Sequence, residues 1–133
     1  MTVVVGYVPT AEGRAALEQA AEECRLRKTR LVVVNSQRYG AHGDQAAGAD
    51  EELAAVRARL QEEGLENEVR QLVAGLEPAE DLIAVAEEVA ADVIVIGLRR
   101  RSPVGKLILG SNAQRILLDA PCPVLAVKAQ EEP

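Results

Sequence analysis

Short runs of apolar, β-branched residues alternate along this chain with stretches in which apolar residues recur every three or four positions. The first pattern is typical of strands that are buried on both faces of a parallel sheet, and the second is typical of amphipathic helices. This alternation predicts a doubly wound α/β fold, with helices covering both faces of one five-stranded parallel sheet. The strands are predicted at residues 2–8, 31–34, 68–73, 93–96 and 121–127.

The helices that separate these strands have recognisable ends. Thr10 is expected to cap the first helix, because a threonine hydroxyl can accept a hydrogen bond from the first turn. The second helix is expected to begin near Asp50, after a polar loop spanning 36–49, and to end at Gly64. Pro78 fits the first turn of the third helix, where its missing N–H costs nothing.

The segment from the fourth strand to the fourth helix has the features of an anion-binding site. Gly97 ends the strand, and Gly110 and Ser111 open the helix. We expect the Ser111 hydroxyl to cap this helix, while Gly110 leaves the backbone amides accessible to a phosphate. The loop between the two glycines carries four cations, although the chain as a whole has more acidic than basic residues: Arg99, Arg100, Arg101 and Lys106.

In open parallel sheets, ligands bind beyond the carboxyl ends of the strands, where the strand order reverses. The basic loop leaves the fourth strand at such an end. If the first strand lies next to the fourth, the residues that follow the first strand form the opposite lip of the same crevice: Tyr7, Val8, Pro9 and Thr10.

Composition and charge exclude several classes of protein. We expect one domain over residues 1–133. A formal charge of −6 and the absence of Trp and Phe argue against a nucleic-acid binder. Two separated cysteines and one histidine favour neither a disulfide framework nor a metal site. No signal peptide or membrane span is apparent, so a cytoplasmic protein is expected.

With these residues assembled, the chain resembles the universal stress protein family over essentially its whole length, to the closing segment APCPVLAV. The family's nucleotide-binding motif is a glycine, two residues, a second glycine, nine residues, and then a glycine with a serine or threonine. Gly97, Gly110 and Ser111 keep that spacing, and Arg100 stands in place of the second glycine. The resemblance implies strand order 3-2-1-4-5 and homodimers joined through the last strand, Val124–Val127. Some members of the family bind ATP and others do not.

Two further positions depart from the nucleotide-binding members. Val8 stands where those members have an aspartate that contacts adenine, and Ser36 stands where they have a valine. Backbone groups at both positions remain available to a ligand. Arg100 has three readings: its guanidinium grips phosphate, its side chain fills the phosphate site, or its Cβ opposes the backbone conformation that glycine allows.

The resulting hypothesis is a cytoplasmic stress-response protein that binds ATP or AMP, with Mg²⁺ accompanying ATP. Catalysis beyond slow ATP hydrolysis is not expected, because the crevice as read from the sequence offers no carboxylate to a reaction. No catalytic or metal-ligating residue is assigned. The alternatives are a nucleotide-independent homodimeric interaction protein and, less favoured, an adenine-nucleotide hydrolase or ligase. The predicted nucleotide-binding residues are Tyr7, Val8, Thr10, Ser36, Gly97, Leu98, Arg99, Arg100, Gly110, Ser111 and Asn112.

Overall fold

The computed structural model describes residues 2–37, 43–73, 77–98 and 110–129. Within these ranges the five strands form one parallel sheet, in which the third strand along the chain lies at one edge and is followed by the second, first, fourth and fifth. The predicted doubly wound fold is therefore confirmed, as is the strand order that the resemblance implied. In chain order the elements are β1 (Thr2–Gly6), α1 (Ala11–Arg27), β2 (Arg30–Gln37), α2 (Gly43–Glu62), β3 (Asn67–Val73), α3 (Pro78–Glu88), β4 (Val93–Leu98), α4 (Ser111–Asp119) and β5 (Val124–Lys128).

Two hydrophobic layers hold the helices against the sheet. Val3 and Val5 pack into the layer beneath α1 and α2, whereas Val4, between them, packs into the layer beneath α3 and α4. The strand β4 alternates in the same way, with Val95 in the first layer and Ile96 in the second. Successive side chains of a strand point to opposite faces, so a strand covered on both sides needs apolar residues at every position.

Several boundaries differ from the predicted ones. β1 ends at Gly6 rather than Val8, because the chain turns there and the amide of Thr10 bonds the Val8 carbonyl at 2.8 Å. β2 extends to Gln37, since β3 supplies hydrogen-bonding partners as far as Val73. The added strand residues Asn35, Ser36 and Gln37 are polar, so a search for apolar runs does not detect this extension.

The largest difference concerns the second helix. α2 begins at Gly43, seven positions before the predicted start at Asp50, so the predicted loop of residues 36–49 is wrong over most of its length. The segment from 43 to 49, GDQAAGA, contains three alanines, which favour a helix, but its glycines and polar residues resemble a loop.

Most of the predicted helix ends are confirmed. The Thr10 hydroxyl accepts a hydrogen bond from the amide of Gly13 at 3.2 Å, and Gly64 has the positive φ of +73° that ends α2. Pro78 opens α3. The prediction for the fourth helix is wrong: Gly110 is the N-cap residue, with no side-chain cap, and Ser111 is the first helical residue.

Cys24 lies on the buried face of α1 and is 1% exposed. Burial raises the pKa of its thiol to about 11, which keeps it protonated and unreactive at neutral pH. In the described part of the chain, no helix has the length and apolar character needed to cross a membrane.

Candidate functional site

A cavity of about 240 Å³ lies beyond the carboxyl ends of the central strands. Gly6 is in register with Val34, and Val5 with Val95, so the ends of β1, β2 and β4 stand side by side at this edge. The helices α3 and α4 begin above it. Its lining is Gly6, Tyr7, Val8, Glu12, Gly13, Val34, Ser36, Pro78, Leu82, Ile96, Gly97, Asn112, Ala113 and Ile116.

The floor of the cavity is apolar. Val34 and Ile96 come from the strands, Leu82 from α3 and Ile116 from α4, and all four belong to the same buried layer. The volume lies just below the roughly 300–1,000 Å³ of sites that enclose a drug-sized ligand. A flat, largely apolar group such as a base fits this space, with any charged portion of the ligand remaining outside.

The predicted site residues divide into four groups. Val8, Ser36, Gly97 and Asn112 line the cavity, as does Tyr7. Gly110 and Ser111 are exposed at the N-terminus of α4, next to Asn112. Thr10 caps α1, and Leu98 packs against the layer beneath α3 and α4, so neither is part of the lining. Arg99 and Arg100 lie outside the described residues.

The Tyr7 side chain packs on the opposite face of the sheet. It is 2% exposed, packs beneath α1 and α2, and donates its hydroxyl to Glu52 Oε1, which also accepts from Arg14 Nε at 3.0 Å. Burial, followed by the bond to Glu52, raises the pKa of Tyr7 far above its usual range. The same hydroxyl lowers the pKa of Glu52. Tyr7 therefore contributes backbone rather than its ring to the cavity.

Gly97 has a structural reason to be glycine. A Cβ at this position would stand 2.1 Å from the carbonyl oxygen of Glu12 and 2.6 Å from its carbonyl carbon, in the first turn of α1. The close approach of α1 to β4 therefore requires glycine whether or not a ligand is bound. At Gly110, by contrast, a Cβ would meet no described atom within 4 Å.

The N-terminus of α4 is held in place by α3. Asn112 Oδ1 accepts a hydrogen bond from the amide of Ala79 at 3.2 Å, and Arg115 bonds Glu80 at 2.5 Å one turn further along. Asn112 thus acts as a clamp between the two helices. The opening turn of α4, capped by no side chain, presents backbone N–H groups beside the cavity, which is the arrangement that binds anions.

The expectation of a crevice without carboxylates is wrong. Glu12 lines the cavity, and the Ser36 hydroxyl donates to Asp81 Oδ2 at 2.5 Å. Asp81 is only 9% exposed. Sequence reasoning missed it because an acidic residue in the first turn of a helix is ordinarily explained by the helix dipole. The order of the strands, which brings the start of α3 to the end of β2, was the signal that could have found it.

A family comparison agrees with this geometry. The sequence model of the universal stress protein family matches residues 1–128. The chain belongs to the universal stress protein family. A universal stress protein of Mycolicibacterium smegmatis is 45% identical over 126 residues, which cover 95% of this chain and 96% of that relative.

Solved universal stress protein structures share the fold. One from Archaeoglobus fulgidus is 41% identical, with a TM-score of 0.78, over 96% of this chain and 98% of its own. A second, a universal stress protein from Archaeoglobus fulgidus in complex with dAMP, is 34% identical, with a TM-score of 0.72 and the same coverage.

Proposed function

We propose that this universal stress protein binds an adenine nucleotide in the cavity at the carboxyl edge of the sheet and acts as a regulatory binding protein in the cytoplasm. The observation that carries the proposal is the apolar cavity bordered by the open N-terminus of α4. The dAMP complex of the 34% identical structure supports the choice of an adenine nucleotide.

The two parts of the site suit the two parts of a nucleotide. The base enters between Val34, Ile96 and Leu82, where burial of its faces removes apolar surface from water. The phosphates lie at the backbone amides of Ser111 and Asn112, which the helix dipole makes favourable for negative charge. AMP and ATP share the base, the ribose and the first phosphate and differ only in the further phosphates, so both are candidates.

Mg²⁺ is proposed only as the ion that ATP brings with it. The described residues contain no group of three or more histidine, cysteine or acidic side chains arranged to hold a metal. Magnesium commonly binds through substrate phosphates, water and one or two carboxylates, which demands little from the protein.

Catalysis is not part of the proposal. Phosphoryl transfer needs an acceptor or a water molecule oriented by a base beside the phosphates. Asp81 accepts a hydrogen bond from the Ser36 hydroxyl and does not itself line the cavity, and Glu12 lines it from the first turn of α1; neither carboxylate is assigned a catalytic role. Slow hydrolysis, if found by phosphate release, would extend this function without replacing it.

Isothermal titration of the nucleotide-stripped protein with AMP, and with ATP and Mg²⁺, tests the proposal. Micromolar binding is expected. Gly110→Val should block the phosphate contact, because its branched side chain would enter the space beside the first amides of α4. Ser111→Ala should weaken binding by up to about 1.5 kcal/mol if the hydroxyl contacts phosphate. Gln71→Ala, exposed on β3 at the far edge of the sheet, is the control.

If neither site variant changes the affinity, the nucleotide does not bind at the N-terminus of α4. No binding of either nucleotide to the wild-type protein would refute the proposal. Arg100→Ala separates the readings of Arg100: weaker binding means that the guanidinium grips phosphate, and tighter binding means that the side chain obstructs the site.

A second candidate function, a nucleotide-independent homodimeric interaction protein, is favoured by one surface. The last strand, β5, lies at the edge of the sheet, and Val124, Leu125 and Val127 are only half-buried. Among the described strands, β5 pairs only with β4, and such an edge is suited to pairing with a second copy through Val124–Val127.

A further inference from the structure

Ser36 is a polar side chain on a wall of the cavity that is otherwise mostly apolar. Its hydroxyl proton already takes part in a hydrogen bond within the protein. The Oγ atom donates to Asp81 Oδ2 at 2.5 Å, which is at the short end of hydrogen bonds to a carboxylate. Asp81 is 9% exposed, so water replaces this donor poorly. The bond joins the carboxyl end of β2 to the first turn of α3.

This bond determines what Ser36 offers to a ligand. A free serine hydroxyl can either donate or accept, and it rotates to suit its partner. Here rotation would break the bond and leave the buried carboxylate of Asp81 without its donor, which is among the more costly changes inside a protein. A ligand that reaches Ser36 therefore meets a hydrogen-bond acceptor.

We propose that the Ser36–Asp81 pair makes this cavity selective for a base that carries an amino group, and against a base that carries a carbonyl at the same place. The inference rests on the proposed function and deepens it. An amino N–H satisfies the Ser36 oxygen. A carbonyl oxygen would face it acceptor to acceptor, or would draw the hydroxyl proton away from Asp81.

The probes are AMP and inosine 5′-monophosphate, in which a carbonyl replaces the amino group of AMP and the adjacent ring nitrogen carries a proton, titrated separately into the nucleotide-stripped protein. The wild-type protein is expected to bind AMP at least about tenfold more tightly. Ser36→Ala should reduce that ratio to within about threefold of one, because the acceptor is lost. The measured quantity is the ratio of the two dissociation constants, which a general loss of stability does not change.

Asp81→Asn gives the sharper test, because the new side chain has the same shape and can donate. An asparagine N–H directed at Ser36 Oγ frees the hydroxyl proton, and the serine can then donate to a ligand carbonyl. The ratio should fall to near one or reverse in favour of inosine monophosphate. Glu87→Gln removes the same charge from the exposed side of α3 and should leave the ratio unchanged.

The outcomes separate this inference from the function on which it rests. Wild-type binding of AMP without preference over inosine monophosphate overturns the inference and leaves the nucleotide site in place. A preference that survives in both Ser36→Ala and Asp81→Asn overturns it as well. Failure of the wild-type protein to bind either nucleotide refutes the proposed function itself. The wild-type comparison requires no variant, so a variant that fails to fold does not leave the inference undecided.

Discussion

Gly97→Ala should destabilise the fold itself rather than act only on a ligand. The added Cβ would stand 2.1 Å from the carbonyl oxygen of Glu12, whereas a carbon and a carbonyl oxygen in contact are about 3.3 Å apart or more. The clash is with backbone in the first turn of α1, which cannot rotate away as a side chain can. The start of α1 must therefore move more than about 1 Å from β4.

The loss of stability in Gly97→Ala depends on which atoms must move. Overpacking a close-packed interior typically costs 1–3 kcal/mol, and a backbone obstacle places Gly97→Ala near the upper end, at about 3 kcal/mol. With a urea dependence of about 2 kcal/mol per molar, the unfolding midpoint should fall by about 1.5 M. Urea titration followed by far-ultraviolet circular dichroism measures this shift, and the absence of tryptophan makes fluorescence less suitable.

Gly110→Ala is the matched control, because it changes the other end of the same motif. At Gly110 φ is −70°, which any residue adopts, and a Cβ would meet no described atom within 4 Å. Its free energy of unfolding should therefore stay within about 0.5 kcal/mol of the wild-type value. The reasoning would be refuted if Gly97→Ala kept the wild-type midpoint but lost nucleotide binding, since the glycine would then serve the ligand alone.

Two further predictions concern the ion-pair network and the edge of the sheet. Glu52→Gln should lower the free energy of unfolding by about 1 kcal/mol at neutral pH, because Tyr7 and Arg14 both donate to the carboxylate. The pKa of Glu52 is lowered in the folded state, so the difference in stability between Glu52→Gln and the wild type should shrink as the pH falls below about 4. Denaturant titrations at several pH values measure this difference, and a constant value would contradict the assignment. Ala126→Asp, exposed on β5, should convert a homodimer into monomers in sedimentation experiments, whereas Gln71→Asp on the opposite edge strand should not; dimers that survive Ala126→Asp would exclude pairing through β5.

The fold was predictable because its main determinants are local. The valine runs of β1 and β4 have no polar position, which only a strand covered on both faces tolerates. The hydroxyl of Thr10 and the positive φ of Gly64 act within a few residues of themselves. The early start of α2 was missed because its first turns combine helix-forming alanines with glycines, and local propensity alone does not decide between the two.

The location of the candidate site was also predictable, from the strand order and the spacing between Gly97 and Gly110, but the roles of its residues were not. Asn112 was predicted as a ligand, and nothing in the sequence indicated that its side chain also clamps α4 to α3 through Ala79. Tyr7 was placed at the lip of the crevice, where its backbone lies, whereas its ring packs on the other face. A shift of one position along a strand exchanges the faces, and the end of a strand is the least reliable boundary to predict.

The sequence by itself therefore determined the elements, the class of fold and the edge of the sheet where the candidate cavity lies, because periodicity and turn chemistry act between near neighbours. Only the tertiary structure decided that Ser36 bonds Asp81, that Gly97 packs on Glu12 and that Tyr7 turns away from the cavity. The Ser36–Asp81 bond joins residues 45 positions apart, and the contact at Gly97 joins the fourth strand to the first helix. Such contacts depend on which strands are neighbours and which way each side chain points, and both are set when the whole sheet assembles.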